Sequence, residues 1–304
     1  METDIWADWL RERRFGGDEE QTRRGLEQLS KSRERVLDRA DLAAGETLLD
    51  VGCGDGLIAF GALARGAGEV MFCDISKPLL NDSRTLAERA GVLDRCRFVV
   101  AGADDLAPVA DESVDVVTTR SVLIYVQDKA RAFAEFFRVL RPGGRISLFE
   151  PINRFGSVDR RHESFWGFDL GEIGDLAEKV NAVYDAIQPL DEDPMLDFDE
   201  RDLLVLAERA GFFPLHLELE ADVEPSRVMS WEAFANVAGN PRIPTIAEAT
   251  EQVLTAEERS RLVEHLQPLV ESGGGVWRLA TAYLSGRKPG FRGPTRGSAC
   301  RRPD

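Results

Sequence analysis

The spacing of apolar residues changes period along this chain, and each change marks the passage from one kind of element to the next. From Asp18 to Asp41 the sequence is highly charged and interrupted only by Gly25, and Leu26, Leu29, Val36 and Leu37 form an apolar stripe of helical spacing. Glu46–Val51 (ETLLDV) is instead a short apolar run ending in glycines, the texture of a buried parallel strand. Further strand-like runs fall at Val70–Cys73, Arg97–Val100, Val114–Thr118 and Arg145–Phe149. Leu57–Ala67, Pro78–Ala90 and Ala130–Leu140 read as the intervening helices, the last with Phe133, Phe136, Phe137 and Leu140 on one face. Arg141-Pro142-Gly143-Gly144 closes that helix and turns the chain into the next strand. Strands alternating with helices of this length predict βαβ units and a parallel sheet.

After Pro151 the alternation breaks. Residues 152–197 mix aromatics, charges and glycines, as expected of an insertion over the carboxyl edge of the sheet. Asp199–Ala210 resumes as a helix and Phe213–Leu219 as a strand. Residues 223–275 form a second insertion with helical patches at Trp231–Val237 and Ala256–Val270, and Trp277–Leu284 is the final strand. The expected architecture is α/β: a doubly wound, mostly parallel seven-stranded sheet with helical cap insertions. Its divisions are an N-terminal helical segment (1–46), a core (47–151), a cap insertion (152–197), a core helix and strand (198–222), a second cap insertion (223–275) and the last core strand (276–288). The tail, 289–304, is rich in Gly, Pro and Arg and is expected to be disordered.

Charge narrows the partners. The formal net charge is −16, and from Arg287 onward the tail carries six basic residues and one acid, so the preceding body is near −21. Such a surface repels phosphate backbones, which makes nucleic acid a poor substrate. Cys53, Cys73, Cys96 and Cys300 form no C-x-x-C pair or zinc-like spacing, so reduced thiols and no metal site are expected. The acidic start METDIWADWL lacks the basic and apolar regions of a secretory signal. No window approaches the roughly 18 apolar residues of a membrane span. A cytoplasmic location with no membrane partner is the resulting expectation; the oligomeric state has no signature.

The strongest chemical signal is Leu48-Leu49-Asp50-Val51-Gly52-Cys53-Gly54-Asp55-Gly56, a strand running into a glycine loop and then a helix. Without Cβ atoms at 52 and 54 a ligand can lie against bare backbone, and the helix behind offers free N–H groups. The dinucleotide fingerprint would need a small residue where Leu57 stands, and no G-K-[ST] triplet follows. Asp50 and Asp55 beside the loop are awkward for a pyrophosphate but suit a ligand with positive groups, such as S-adenosylmethionine. Asp74 ends the next strand, at a solvent-facing position, where an acid can accept hydrogen bonds from ribose hydroxyls.

These motifs resemble the class I S-adenosylmethionine-dependent methyltransferases, particularly the bacterial group related to the ubiquinone/menaquinone-biosynthesis C-methyltransferases. The resemblance is good over residues 46–151 and looser at 199–222 and 277–284. It implies that Asp50, Gly52, Gly54 and Gly56 form the cofactor loop, that Asp74 holds the ribose and that Ile75 packs on the adenine. It also implies that the turn Ala101–Leu106 grips the adenine edge, through the backbone near Ala103 and a carboxylate. The family often has an acid where this chain has Gly102, which leaves Asp104 as the candidate and Asp105 as its rival. Arg120, after the fourth strand, lies where the methionine end of the cofactor is expected, and either touches substrate or pairs with an acid.

The acceptor side carries fewer signals. Methyl transfer is an in-line displacement that needs alignment and exclusion of water, with a base only for some nucleophiles. His162 and Tyr125 are weak candidates for such a catalytic role; His216 reads as a strand residue and His265 as solvated. Glu150 and Asn153 follow the fifth strand, where an acceptor should enter. Phe155, Phe165, Trp166 and Phe168, like Trp6, Trp9 and Phe15, either line a pocket or fill a small core. Arg33 reads either as a partner of the cofactor carboxylate or as a surface residue. The expected activity is methyl transfer to a small molecule through O, N or C. A cofactor-binding regulator or scaffold without turnover, and a nicotinamide-dependent dehydrogenase, are the alternatives.

Overall fold

Leu48 and Leu49 are adjacent, both fully buried, and they feed different cores. Successive side chains of a strand point to opposite faces, so a strand apolar at every position must be covered on both sides. The computed structural model, which describes residues 4–14, 19–157 and 164–290, shows the resulting sheet. Its strands are β1 (Thr47–Val51), β2 (Glu69–Asp74), β3 (Cys96–Val100), β4 (Val114–Arg120), β5 (Leu140–Pro151), β6 (Leu215–Pro225) and β7 (Val276–Arg287). They lie in the order β3-β2-β1-β4-β5-β7-β6. Only β7 is antiparallel to its neighbours.

The α-helices longer than four residues are α1 (Glu19–Ala40), α2 (Leu57–Ala64), α3 (Lys77–Arg89), α4 (Lys129–Val139), α5 (Gly174–Ile187), α6 (Glu200–Ala210), α7 (Trp231–Asn236), α8 (Ile246–Val253) and α9 (Ala256–Ser272). On one face Leu37, Ile58 and Leu80, from α1, α2 and α3, pack on Leu48, Phe72 and Val116. On the other, Phe133 and Phe136 of α4 and Leu203 of α6 pack on Leu49, Val117 and Ile146. The doubly wound core is therefore as expected, with differences at strand ends. β5 begins at Leu140 rather than Arg145, because the Gly143 N–H donates to the Lys288 carbonyl and the Lys288 N–H to Gly144, drawing the expected turn into the sheet. The β6–β7 pairing runs from Leu215 opposite Gly286 to Pro225 opposite Val276, longer than apolar content alone suggests. Glu218 and Glu220 alternate along this edge strand and pair with Arg35 and Arg39 of α1.

The two insertions fold together. A hairpin of Ser164–Phe165 and Phe168–Asp169 joins α5, α7, α8 and α9 around Phe165, Phe168, Leu176, Val180, Ile246 and Leu266. Helix α5 buries a stripe of helical spacing, Leu176, Ala177, Val180 and Tyr184, and α8 carries a capping box in which Thr245 and Glu248 bond each other's backbone N–H. Deleting 223–275 alone would thus expose the apolar face of the first insertion. Phe15, His162 and most of the expected disordered tail lie outside the described residues.

Arg145 joins α1 to β5: its guanidinium donates to the carbonyls of Ala40 and Asp41 and pairs with Glu46. Those bonds hold Glu46 below the usual carboxylate range. Arg145→Ala should cost about 2–4 kcal/mol, since it leaves the buried Ala40 carbonyl, the partly buried Asp41 carbonyl and a carboxylate without their donor. Arg145→Lys should recover only part of this, lacking the planar fork. Denaturant unfolding of both variants checks the pair, and a loss below the level of an ordinary surface change would refute it.

Candidate active site

β1 and β4 are neighbours whose chains leave toward opposite sides of the sheet, and the crevice between such strands is where an α/β sheet binds ligands. The chain leaves β1 through Gly52 and Gly54, both at positive φ. A Cβ on Gly52 would collide with Val122, so the loop after β4 rests directly on the glycine loop. Asp74 fixes the loop from the other side. Its Oδ2 accepts from the Gly54 N–H at 2.8 Å and its Oδ1 from the Ser76 N–H at 2.9 Å. At 7% exposure it is not the solvent-facing residue expected, because these two bonds pull the strand end under the loop. Burial raises its pKa above the usual value.

Asp50 is more deeply buried, accepting from Thr118 Oγ1 at 2.8 Å and from the Ala59 N–H at 3.1 Å. Burial pushes its pKa up to about 7. It thus braces β1 against β4 and against the first turn of α2. Gly56 caps α2 at φ 83, and a Cβ there would press on Phe60 and Phe72; it shapes the turn and does not line the cavity.

Above the loop lies a cavity of about 540 Å³. Asp50, Gly52, Gly54, Asp74, Ile75, Ala103, Asp104 and Arg120 all reach its wall, as do Tyr125 and Asn153; Asp105 and Arg33 do not. Its roof is a stretch that sequence reasoning left ambiguous. Residues 4–14 place Trp6, Trp9, Leu10 and Arg14 over the cavity. This stretch is tied down at both ends. Ser76 Oγ donates to Asp4 at 2.8 Å, Trp9 Nε1 donates to the Ala238 carbonyl at 2.8 Å, and Arg13 pairs with Glu248. Met195, Gly239 and Arg242, from the two insertions, complete the far wall. Arg14 and Arg242 were not singled out in the sequence, since neither sits in a motif and both reach the cavity only through tertiary folding.

Acidic and basic side chains share this space, with Asp55 acting as a counter-charge to both Arg14 and Arg120. Asp55, Asp74 and Asp104 stand along the glycine loop and the ends of β2 and β3, while Arg14 and Arg120 face the far side of β4. Burial lowers the Arg120 pKa to about 10, with Arg14 adding repulsion and Asp55 opposing it; the guanidinium stays charged at neutral pH. Burial also pushes the Tyr125 hydroxyl up to about 12, and its ring meets Trp6 edge-on at 4.7 Å.

Glu150, expected near the acceptor's entry, does not line the cavity. It is fully buried, accepting from Thr119 Oγ1 and the Val122 and Ile124 N–H groups, so it holds the loop after β4 in place. His216 lies on exposed β6 near Glu218, and His265 bonds the Asp169 carbonyl; neither lines the cavity. Phe165 and Phe168 belong to the cap's own core.

The buried carboxylates make stability depend on pH and on single side chains. Burial pushes Glu150 up to about 7, so the folded protein keeps a proton that the unfolded chain has lost by then. This contribution to stability is complete below the ordinary carboxylate pKa and disappears as pH rises through about 7. Glu150→Gln cannot ionise and should show a shallower loss of stability between about pH 5 and pH 8. Thermal melts of parent and variant across that range measure it, and equal slopes would contradict the assignment. Asp74→Ala should cost about 1–3 kcal/mol of stability by leaving the Gly54 and Ser76 N–H groups without acceptors; unchanged unfolding would show that the loop does not depend on it.

Comparison with known proteins bears directly on this site. A methyltransferase domain family model matches residues 49–148. The ubiquinone/menaquinone biosynthesis C-methyltransferase UbiE of Klebsiella pneumoniae is 30% identical over 182 residues, spanning 58% of this chain and 70% of that protein. Two solved structures share the fold. The YcgJ protein from Bacillus subtilis has a TM-score of 0.52 at 17% identity, covering 86% of this chain and 99% of its own. A geranyl diphosphate methyltransferase in complex with SAM has a TM-score of 0.53 at 18% identity, covering 90% and 94%. With its glycine loop, its strand order and these relatives, the chain belongs to the class I S-adenosylmethionine-dependent methyltransferases.

Proposed function

We propose that the cavity beneath residues 4–14 is the S-adenosylmethionine site and that the enzyme methylates a small molecule held under the cap. One observation carries this reading: a single cavity gathers the bare-backbone glycine loop, Asp74 and the arginine pair Arg14 and Arg120. The donor set fits a ligand bearing a sulfonium, an ammonium and a carboxylate. Each Asp74 oxygen retains a lone pair after its bond to Gly54 or Ser76, which serves the ribose hydroxyls. Ile75 and Leu79 offer the adenine an apolar wall and Asp104 an acceptor at its edge. Arg14 and Arg120 suit the carboxylate, and Asp55 the ammonium.

When bound, S-adenosylmethionine supplies an electrophilic methyl group on a positively charged sulfur. The protein's part is to align the nucleophile and keep water out, for which Trp6, Trp9 and Leu10 form the roof. Tyr125 keeps its proton at neutral pH and serves as wall and hydrogen-bond donor rather than as base. The attacking atom is the acceptor's own, an oxygen, nitrogen or carbon of a specialised metabolite. The family assignment removes the nicotinamide alternative.

Calorimetry in the presence of chelator should show binding of both S-adenosylmethionine and S-adenosylhomocysteine, and a folded sample that binds neither ends this proposal. Asp74→Ala should weaken that binding by about 1.5–3 kcal/mol, read separately from its effect on unfolding. Incubation with fractionated metabolite extracts should generate S-adenosylhomocysteine. Tight binding with no turnover in any fraction would instead favour a regulatory or scaffold role.

A further inference from the structure

A second cavity, of about 350 Å³, lies between the hairpin, α5 and the start of β7. It shares Asn153, Met195 and Gly239 with the wall of the first, and each is of a size that holds a small molecule. Trp166 and Tyr184 give it an aromatic side, their rings edge-to-face at 5.7 Å. Gln188 and Asn240 add neutral amides, and its two charged side chains, Asp185 and Arg278, are of opposite sign.

Trp166 is the informative residue. It occupies the first central position of the two-residue turn between Phe165 and Phe168, with φ 52, and Gly167 follows at φ 89. Positive φ at both positions is the type I′ requirement, which Asn, Asp and Gly meet easily. A bulky side chain there is strained, and such strain gathers at ligand sites. Burial compensates for it only in part: Phe165 and Phe168 fill the cap core, whereas Trp166 packs on Tyr184 and remains 38% exposed at the cavity.

Resting on the reading that the first cavity holds the cofactor, we propose that the second is the acceptor chamber. It takes a neutral molecule with a flat aromatic body against Trp166 and Tyr184, and the reacting group meets the methyl donor at the shared wall of Asn153, Met195 and Gly239.

The probe is 2-naphthol, titrated at up to millimolar concentration with and without saturating S-adenosylhomocysteine, whose own binding is measured independently. The parent should bind 2-naphthol saturably and without competition. Trp166→Asn should weaken it about five- to tenfold, and Trp166→Phe by no more than about threefold, because Phe still offers the probe an aromatic ring and Asn does not. Trp166→Asn should keep or raise the melting temperature, because Asn suits the turn. Hydrogen exchange on the parent, which needs no variant, should slow at residues 164–169 and 276–280 when 2-naphthol is added. No saturable binding, competition with S-adenosylhomocysteine, equal affinity in Trp166→Asn, or absence of protection at those residues each overturns the chamber. Failure of S-adenosylhomocysteine to bind, with 2-naphthol protection intact, overturns the cofactor reading instead.

Discussion

The site depends on two buried carboxylates that hold the glycine loop and its helix from opposite sides. Asp74 ties the loop to the end of β2 through the Gly54 N–H, and Asp50 ties the first turn of α2 to Thr118 of β4. Glycines are needed where ligand and neighbouring chain approach the backbone, but they lend the loop no stiffness of their own. The acids supply it. Glu150 repeats the device one strand along, fixing the loop after β4 that rests on Gly52. All three carry pKa values raised by burial, the electrostatic cost of using carboxylates as internal braces.

This dual use explains what was legible in the sequence. The apolar runs Leu48-Leu49 and Val116-Val117 specified a sheet covered on both faces, whereas the full length of the mostly exposed β6 was not readable from apolar content. Of the nine residues named for the cofactor, eight reach one cavity and Gly56 shapes the turn behind it; only those of the glycine loop were readable from local spacing, the others from the resemblance. The burial of Asp74 was not legible, since a strand-end acid reads the same whether it faces water or a neighbouring loop. Glu150 misled for the same reason: its partners, the Val122 and Ile124 N–H groups, belong to another element.

The roof and the cap were less readable for a different reason. Arg14, Met195, Gly239 and Arg242 come from segments with no shared motif and meet only because the Ala238 carbonyl accepts from Trp9 while Arg13 pairs with Glu248. Helix α8 had a signal of its own, Thr245 three residues ahead of Glu248, but its apolar face is short and its burial depends on Leu176 and Val180 of the other insertion. Two segments that each lack a core can fold only against each other.

That mutual dependence divides the molecule's labour. The braces on the glycine loop are bonded within the sheet, so the residues around the first cavity's floor are fixed by the core. The walls of the second cavity come partly from the hairpin, α5 and the stretch around Asn240, which pack on the cap's separate core, and partly from β7 and from Ile152, Met195 and Leu196, which pack with the sheet. Substitutions in the cap can therefore reshape the space under it while leaving Asp50, Asp74 and Gly54 undisturbed, because the bonds of that network run between the sheet and its own loops. The two meet at the roof, through Trp9 and Ala238 and through Arg13 and Glu248, at the Lys129–Asp197 ion pair, and at the shared wall of Asn153, Met195 and Gly239. With the two cavities holding donor and acceptor as proposed, such a fold can keep one methyl donor and change its acceptor by altering the cap.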